Sequence, residues 1–224
     1  MAWRTATRDL REVENHEEEL NTKPNEGVVY ILIGSCSMSF EGVTYRTADN
    51  WFGYIPMPSS PIRYMEIGTF YGANLFSVGR SYASHPGSRM YCIDPWIDYA
   101  DYPEYKERQE SIYDTFNRNL ESSGQKDKIT VVRGFSHTEI PKFEDAFFDM
   151  IYIDGNHEPE YVLEDAVLSF RKLKVGGHLI FDDYGWGGPD LTTRGIDAFR
   201  SAYHKRISPL QPLANTQVFI TKTR

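Results

Sequence analysis

Only two cysteines, Cys36 and Cys92, occur in 224 residues. Two are too few for a disulfide framework, and no Cys/His cluster has the spacing of a zinc site. Cys92 lies in the apolar run Met90-Tyr91-Cys92-Ile93 and reads as a small buried hydrophobe. Reduced, cytoplasmic chemistry is the expectation. No run of about 18 apolar residues is present, so no membrane span is expected. The opening residues Met1-Ala2-Trp3-Arg4-Thr5 lack the apolar centre of a signal peptide. Positive charge is in deficit as well: 24 Lys+Arg stand against 32 Asp+Glu, a formal net charge of −8. That balance weighs against a nucleic-acid phosphate backbone as partner. Internal repeats and low-complexity tracts are absent.

What is present fits one globular domain with an extension: 40% hydrophobic residues, 14% aromatic and 25% charged. Residues 8 to 20 read as an exposed helix with an acidic Glu17-Glu18-Glu19 run. Val28 to Ile33 is apolar and reads equally as a strand or a short buried helix. From about Thr47 to Pro61 the chain is loop-like, which places the boundary between an extension, 1–60, and a main domain, 61–224. The extension is a candidate lid or a pairing surface for a second copy in a homodimer.

Beyond Pro61, strand and helix patterns alternate. Strands are predicted at Arg63 to Ile67, Arg89 to Ile93, Ile129 to Val132, Phe148 to Ile153, His178 to Phe181 and Gln217 to Thr221. Helices are predicted at Asn74 to Ala83, Tyr105 to Ser122, Glu158 to Lys172 and Ile196 to Tyr203. This order implies an α/β, Rossmann-like three-layer sandwich around a mostly parallel sheet, seven-stranded in its full form.

Ligands of open α/β sheets bind beyond the carboxyl ends of the strands. Here each of the first five strands ends in glycine or polar residues. The first gives Glu66-Ile67-Gly68-Thr69-Phe70-Tyr71-Gly72-Ala73-Asn74, and the second gives Asp94. The third gives Gly134-Phe135-Ser136-His137, the fourth Asp154-Gly155-Asn156-His157 and the fifth Asp182-Asp183-Tyr184. Gly68 and Gly72 permit a tight turn and close approach of a ligand. Their Gly-x-x-x-Gly spacing differs from the dinucleotide fingerprint, and no phosphate-loop lysine follows. The Glu66 carboxylate beside the loop suits a cationic ligand better than a pyrophosphate. Asp94 is placed to accept from both hydroxyls of a ribose, and Ser136 to bond an adenine edge.

At these residues the sequence resembles the class I S-adenosylmethionine-dependent methyltransferases. Within them it resembles the metal-dependent O-methyltransferases related to catechol and macrolide-sugar enzymes. The resemblance runs from Arg63 to Thr221 and rests on the loop from Glu66 to Gly72, Asp94, Gly134-Phe135-Ser136, Tyr152 to His157, and Gly176-Gly177 leading to Asp182-Asp183. It implies that S-adenosylmethionine is held by Glu66, Gly68, Thr69, Tyr71, Gly72, Asn74, Asp94, Ser136 and Asp154. It implies too that Asp154, Asp182 and Asp183 hold one divalent ion; hard oxygen ligands suit Mg²⁺ first, or Mn²⁺ and Ca²⁺.

His157 departs from the catechol-type pattern, which has a lysine there. A histidine is already a neutral base near physiological pH; orienting a metal-bound water or capping the next helix are its other roles. Trp96, Tyr184 and Trp186 are candidate walls for a small hydroxylated acceptor of the sugar, polyketide or phenol class, and Asp190 to Arg194 a candidate lid. A metal-independent N- or O-methyltransferase and a catalytically silent cofactor-binding protein remain as alternatives.

Overall fold

The computed structural model describes residues 47–98, 106–214 and 216–224. The chain divides into two units, Met1–Ser37 and Met38–Arg224, and every described residue belongs to the second. The helix expected over residues 8–20 and the apolar run 28–33 lie outside the described residues.

Five strands run parallel: β1 (Arg63–Ile67), β2 (Arg89–Asp94), β3 (Ile129–Arg133), β4 (Phe148–Ile153) and β5 (Leu173–Phe181). Two more, β6 (Gln211–Pro212) and β7 (Val218–Thr221), close one edge in antiparallel sense. The sheet has seven strands in the order β3-β2-β1-β4-β5-β7-β6. The chain reverses its direction of travel between β1 and β4, which is where this architecture opens a ligand crevice.

Side chains alternate across a strand, so each strand feeds two cores. Tyr64, Met90, Cys92, Met150, Tyr152, Ile180 and Phe219 join one buried cluster. Met65, Ile67, Ile93, Ile151, Ile153, Leu179, Phe181 and Ile220 join the other. Helices α1 (Ala73–Arg80) and α2 (Gln109–Ser123) cover the first face through Leu75, Phe76, Val78, Ile112, Phe116 and Leu120. Following the four-residue α3 (Ser136–Glu139), α4 (Pro159–Lys172) and α5 (Thr192–Tyr203) cover the second through Val162, Ala166, Phe170, Ile196 and Phe199. Three layers result, as the alternating pattern predicts. Each fully buried side chain of the Phe170 kind contributes about 1.5–3 kcal/mol by leaving water.

Some boundaries differ from the sequence expectation for local reasons. Helix α1 stops at Arg80, and Lys128 Nζ donates to the carbonyls of Gly79 at 2.6 Å and Ala83 at 2.9 Å beyond its end. Helix α5 begins at Thr192 rather than Ile196, so the expected lid over 190–194 is largely helix. Gly195 lets that first turn press on α4: a Cβ there would lie 2.6 Å from the Pro159 oxygen. Regular pairing of β5 with β4 resumes at His178, after an irregularity around Gly176 at φ 84°. The short α3 and the two-residue β6 have no strong periodic signal and were not expected.

Residues 47–60, grouped with the extension on sequence, join the core. They include a 3-10 helix, Thr47–Trp51, and bury Ala48, Trp51 and Ile55 in the first cluster. Among the described residues, no helix is long and apolar enough to cross a membrane.

Candidate active site

The carboxyl ends of the strands are stitched into one rim by backbone hydrogen bonds. Gly68 N donates to Ile93 O at 3.0 Å, Asp154 N to Ile67 O at 2.8 Å, Asp182 N to Ile153 O at 3.0 Å and Gly134 N to Asp94 O at 3.1 Å. The polar residues that end five separate strands in the sequence therefore face one edge of one sheet.

On the β1 side, Glu66 is buried with 1% of its surface exposed. Its Oε2 accepts from Tyr64 Oη at 2.7 Å and from Asn74 Nδ2 at 2.8 Å. Burial pushes the Glu66 carboxyl up to about 8, helped by the charges of Asp154 and Asp94 and opposed by the two hydrogen bonds. An acid held this far from its ordinary range is poised to receive a cation. Gly72 ends the loop at φ 89° and serves as the residue before α1, a conformation that costs an L side chain about 1–2 kcal/mol.

Asp94 has a task in the fold beyond the ribose role expected of it. Its Oδ2 accepts from the backbone N–H groups of Thr69 and Phe70, both at 2.9 Å, and its Oδ1 accepts from Trp96 N at 2.8 Å. It thus holds the glycine loop in shape. Burial raises its pKa, and the same three N–H groups oppose the rise. Asn119 Nδ2 donates to Tyr71 O at 3.1 Å and pins the loop from the α2 side. Thr69 is buried, and Tyr71 is partly so. Ser136 begins α3, next to the β2 end, and its hydroxyl bonds the buried Asp165 of α4.

On the β4–β5 side, Asp154, His157 and Asp183 converge. One ligand atom from each lies within 4.8 Å of the others. His157 Nε2 is 3.2 Å from Asp183 Oδ2 and 3.9 Å from Asp154 Oδ1. Their side chains keep 34% (Asp154), 23% (His157) and 23% (Asp183) of their area exposed, so a ligand can reach all three. Poor solvation pushes the Asp154 carboxyl up to about 7, with Asp182 and Asp183 raising it further and His157 opposing. For His157, burial acts to lower the pKa, but the neighbouring carboxylates of Asp154, Asp183 and Asp182 override it and raise the value. Asp183 sits in the left-handed region at φ 57°, held by Thr192 Oγ1, which donates to its carbonyl at 2.5 Å.

Asp182 does not join this trio. Its Oδ2 accepts from Tyr152 Oη, and its Oδ1 accepts from Asp183 N at 2.9 Å. Of the expected substrate walls, Trp96 is corrected. It is 1% exposed, packs on Tyr113 and Phe116, and donates from Nε1 to Phe70 O at 3.1 Å. Its neighbour in sequence is on the rim, but its left-handed backbone at φ 44° accompanies an inward ring. Tyr184 is partly buried and bonds Asp197. Trp186 is half exposed and stands edge-on to His157, ring centroids 5.1 Å apart.

Sequence reasoning missed Tyr64, Asn119 and Asp165, and quoted Tyr152 only as part of a motif, with no role. The two tyrosines lie two positions before Glu66 and Asp154, hence on the same strand faces. That periodicity was the available signal.

A parallel sheet with this strand order, a glycine loop after β1 and acidic strand ends define the class I methyltransferase fold. The chain belongs to the methyltransferase-domain family, whose model matches residues 65–184. Solved structures agree on the fold. The O-methyltransferase TomG from Streptomyces achromogenes, involved in tomaymycin synthesis and solved with S-adenosylmethionine, is 19% identical over 72% of this chain and 73% of its own, TM-score 0.57. The O-methyltransferase NovP is 18% identical over 73% of each chain, TM-score 0.58. The methyltransferase PaMTH1 of Podospora anserina, solved with bound SAH, is 18% identical over 73% of each chain, TM-score 0.53. No curated protein matches the chain. Every expected site residue, Glu66 through Asp183, lies inside the family match.

Proposed function

We propose that this methyltransferase binds S-adenosylmethionine along the β1–β2 rim and transfers its methyl group to a hydroxyl oxygen of a small molecule of the sugar, polyketide or phenol class. The observation that carries this reading is the convergence of Asp154, His157 and Asp183 immediately beside the loop that follows β1. TomG and NovP, on the same fold, are O-methyltransferases.

Glu66 takes the ammonium of the cofactor, and the Gly68–Gly72 loop receives its backbone. Asp94 holds that loop and turns its remaining acceptor capacity to the ribose; Ser136 meets the adenine. Thr69, Tyr71 and Asn74 shape the same wall.

The two carboxylates Asp154 and Asp183, converging with the His157 imidazole beside them, offer the hard oxygen donors that suit a divalent cation of the Mg²⁺ or Mn²⁺ type. Asp154, held protonated up to about 7 by its surroundings, is the kind of acid whose repulsion a cation relieves. Asp154 and Asp183 would hold the cation, with Asp182 behind them. When bound it would supply charge that lowers the pKa of an acceptor hydroxyl and offsets the carboxylates that raise the His157 pKa. His157 Nε2 then takes the hydroxyl proton. The oxygen attacks the sulfonium methyl in line, the C–S bond breaks, and its electron pair stays on sulfur. The protein supplies alignment, and Trp186 gives the acceptor a face beside His157.

A metal-free reading has one observation in its favour: the His157–Asp183 pair at 3.2 Å neutralises part of the cluster unaided. One experiment separates the two. Conversion of labelled S-adenosylmethionine to S-adenosylhomocysteine is measured over a panel of hydroxylated acceptors, with Mg²⁺ and with EDTA. Turnover that depends on Mg²⁺ supports the cation reading, full turnover in EDTA removes it, and no turnover with any acceptor removes the O-methyl transfer.

A further inference from the structure

An unbroken hydrogen-bond chain crosses the dry interior behind the site. Trp51 Nε1 donates to Gln217 Oε1 at 2.9 Å, and Gln217 Nε2 donates to Tyr152 Oη at 3.1 Å. Tyr152 Oη donates to Asp182 Oδ2. Trp51 and Tyr152 are fully buried, and Gln217 is 1% exposed. The two rings pack at 5.6 Å between centroids.

The direction of this chain is forced by its first member. An indole N–H can only donate. The Gln217 oxygen therefore faces Trp51, which leaves its amide N–H₂ to face Tyr152. Tyr152 Oη accepts from that amide, and its single hydrogen is left for Asp182. Asp182 then accepts on Oδ2 from Tyr152 and on Oδ1 from the Asp183 amide at 2.9 Å. That second bond, together with the Thr192 hydroxyl on the Asp183 carbonyl, holds the left-handed turn at φ 57° from which the Asp183 carboxylate meets His157. Polar side chains are a costly choice for a core position that Phe, Leu or Met would fill, because every group must stay satisfied. Trp51 and Gln217 also lie outside the segment that matches the family model, 65–184.

We propose that Trp51, Gln217 and Tyr152 form a one-way hydrogen-bond relay that sets Asp182 and, through it, Asp183, and so are positioning residues for the cation site. The proposal rests on the cation reading above. Groups that orient metal-binding carboxylates from behind are worth about 10- to 100-fold in metal affinity.

The test measures Mn²⁺ binding by electron paramagnetic resonance and S-adenosylmethionine binding by calorimetry. The proteins are the wild-type chain, Tyr152→Phe and Gln217→Glu. Tyr152→Phe deletes the last donor. Gln217→Glu keeps the volume but reverses the polarity: the carboxylate accepts from Trp51 and from Tyr152, drawing the phenol hydrogen away from Asp182. Both variants are expected to weaken Mn²⁺ binding about 10- to 100-fold while cofactor affinity stays at the wild-type level. Wild-type Mn²⁺ affinity in both variants overturns the proposal alone. Loss of cofactor affinity in step with Mn²⁺ overturns it too, because the chain is then only a brace for the whole fold. A wild-type protein that binds no Mn²⁺, with or without cofactor, overturns the cation reading and the relay's role together.

Discussion

A Cβ atom on Gly68 would lie 1.8 Å from the backbone oxygen of Asp154. The loop that follows β1 and the end of β4 that leads to Asp154 are therefore in backbone contact. Only a residue without a side chain allows it, and Gly68 is also at φ 78°. Gly68→Ala is expected to destabilise the protein by about 1–3 kcal/mol through overpacking. Because relief requires Asp154 to move, cofactor affinity and cation affinity should fall together. Unfolding in urea with parallel calorimetry checks this; a variant of unchanged stability and affinity contradicts the contact.

Glu66 should release a proton when the cofactor binds. With its carboxyl pushed up to about 8, Glu66 is mostly protonated at pH 7 in the free protein. An ammonium placed against it favours the ionised form, so binding at pH 7 should expel up to about one proton. The observable is a binding enthalpy that changes with the ionisation enthalpy of the buffer. Glu66→Gln should abolish that dependence and weaken binding. Between about pH 4.3 and 8 Glu66 keeps a proton in the free fold that it has lost in the unfolded chain, so its own contribution to stability falls as pH rises through that window. Melting temperatures that climb over the window would contradict a protonated Glu66.

His157→Gln separates base from ligand. A His157 that accepts the proton would account for about 10²- to 10⁴-fold in kcat. The variant should keep its Mn²⁺ and cofactor affinities and lose turnover by that factor. A fall in Mn²⁺ affinity instead would make His157 a ligand, which its 3.2 Å approach to Asp183 permits.

Trp186→Ala tests the acceptor wall. Trp186 is half exposed, so its loss should change stability by no more than about 0.5 kcal/mol. KM for the acceptor should rise while cofactor affinity holds. An unchanged KM with every active acceptor removes Trp186 from the substrate face.

The fold was largely legible because its signals are local. Strand and helix periods alternate between Arg63 and Thr221, and glycine or aspartate marks each parallel strand end. The rim could be assembled from chain order alone, since the architecture sends those ends to one edge. Side-chain direction was harder to read. Trp96 adjoins Asp94 and Pro95, so sequence places it near the ligand, yet its ring packs inward on α2. Asp182 and Asp183 are adjacent and chemically identical, yet one faces Tyr152 and the other His157. Tyr152 reads as one more apolar strand residue until its hydroxyl partners are known. Trp51 and Gln217 are 166 positions apart, and no pattern within a window of sequence joins them.

The burial of Trp51 also says where this fold begins. A shortened version starting at residue 61 would keep every strand and every rim residue. It would also open a hole the size of an indole against Tyr82 and Tyr152 and leave the Gln217 oxygen facing it without its donor. The practical amino-terminal limit of the catalytic unit is thus upstream of the 3-10 helix, well before the first strand.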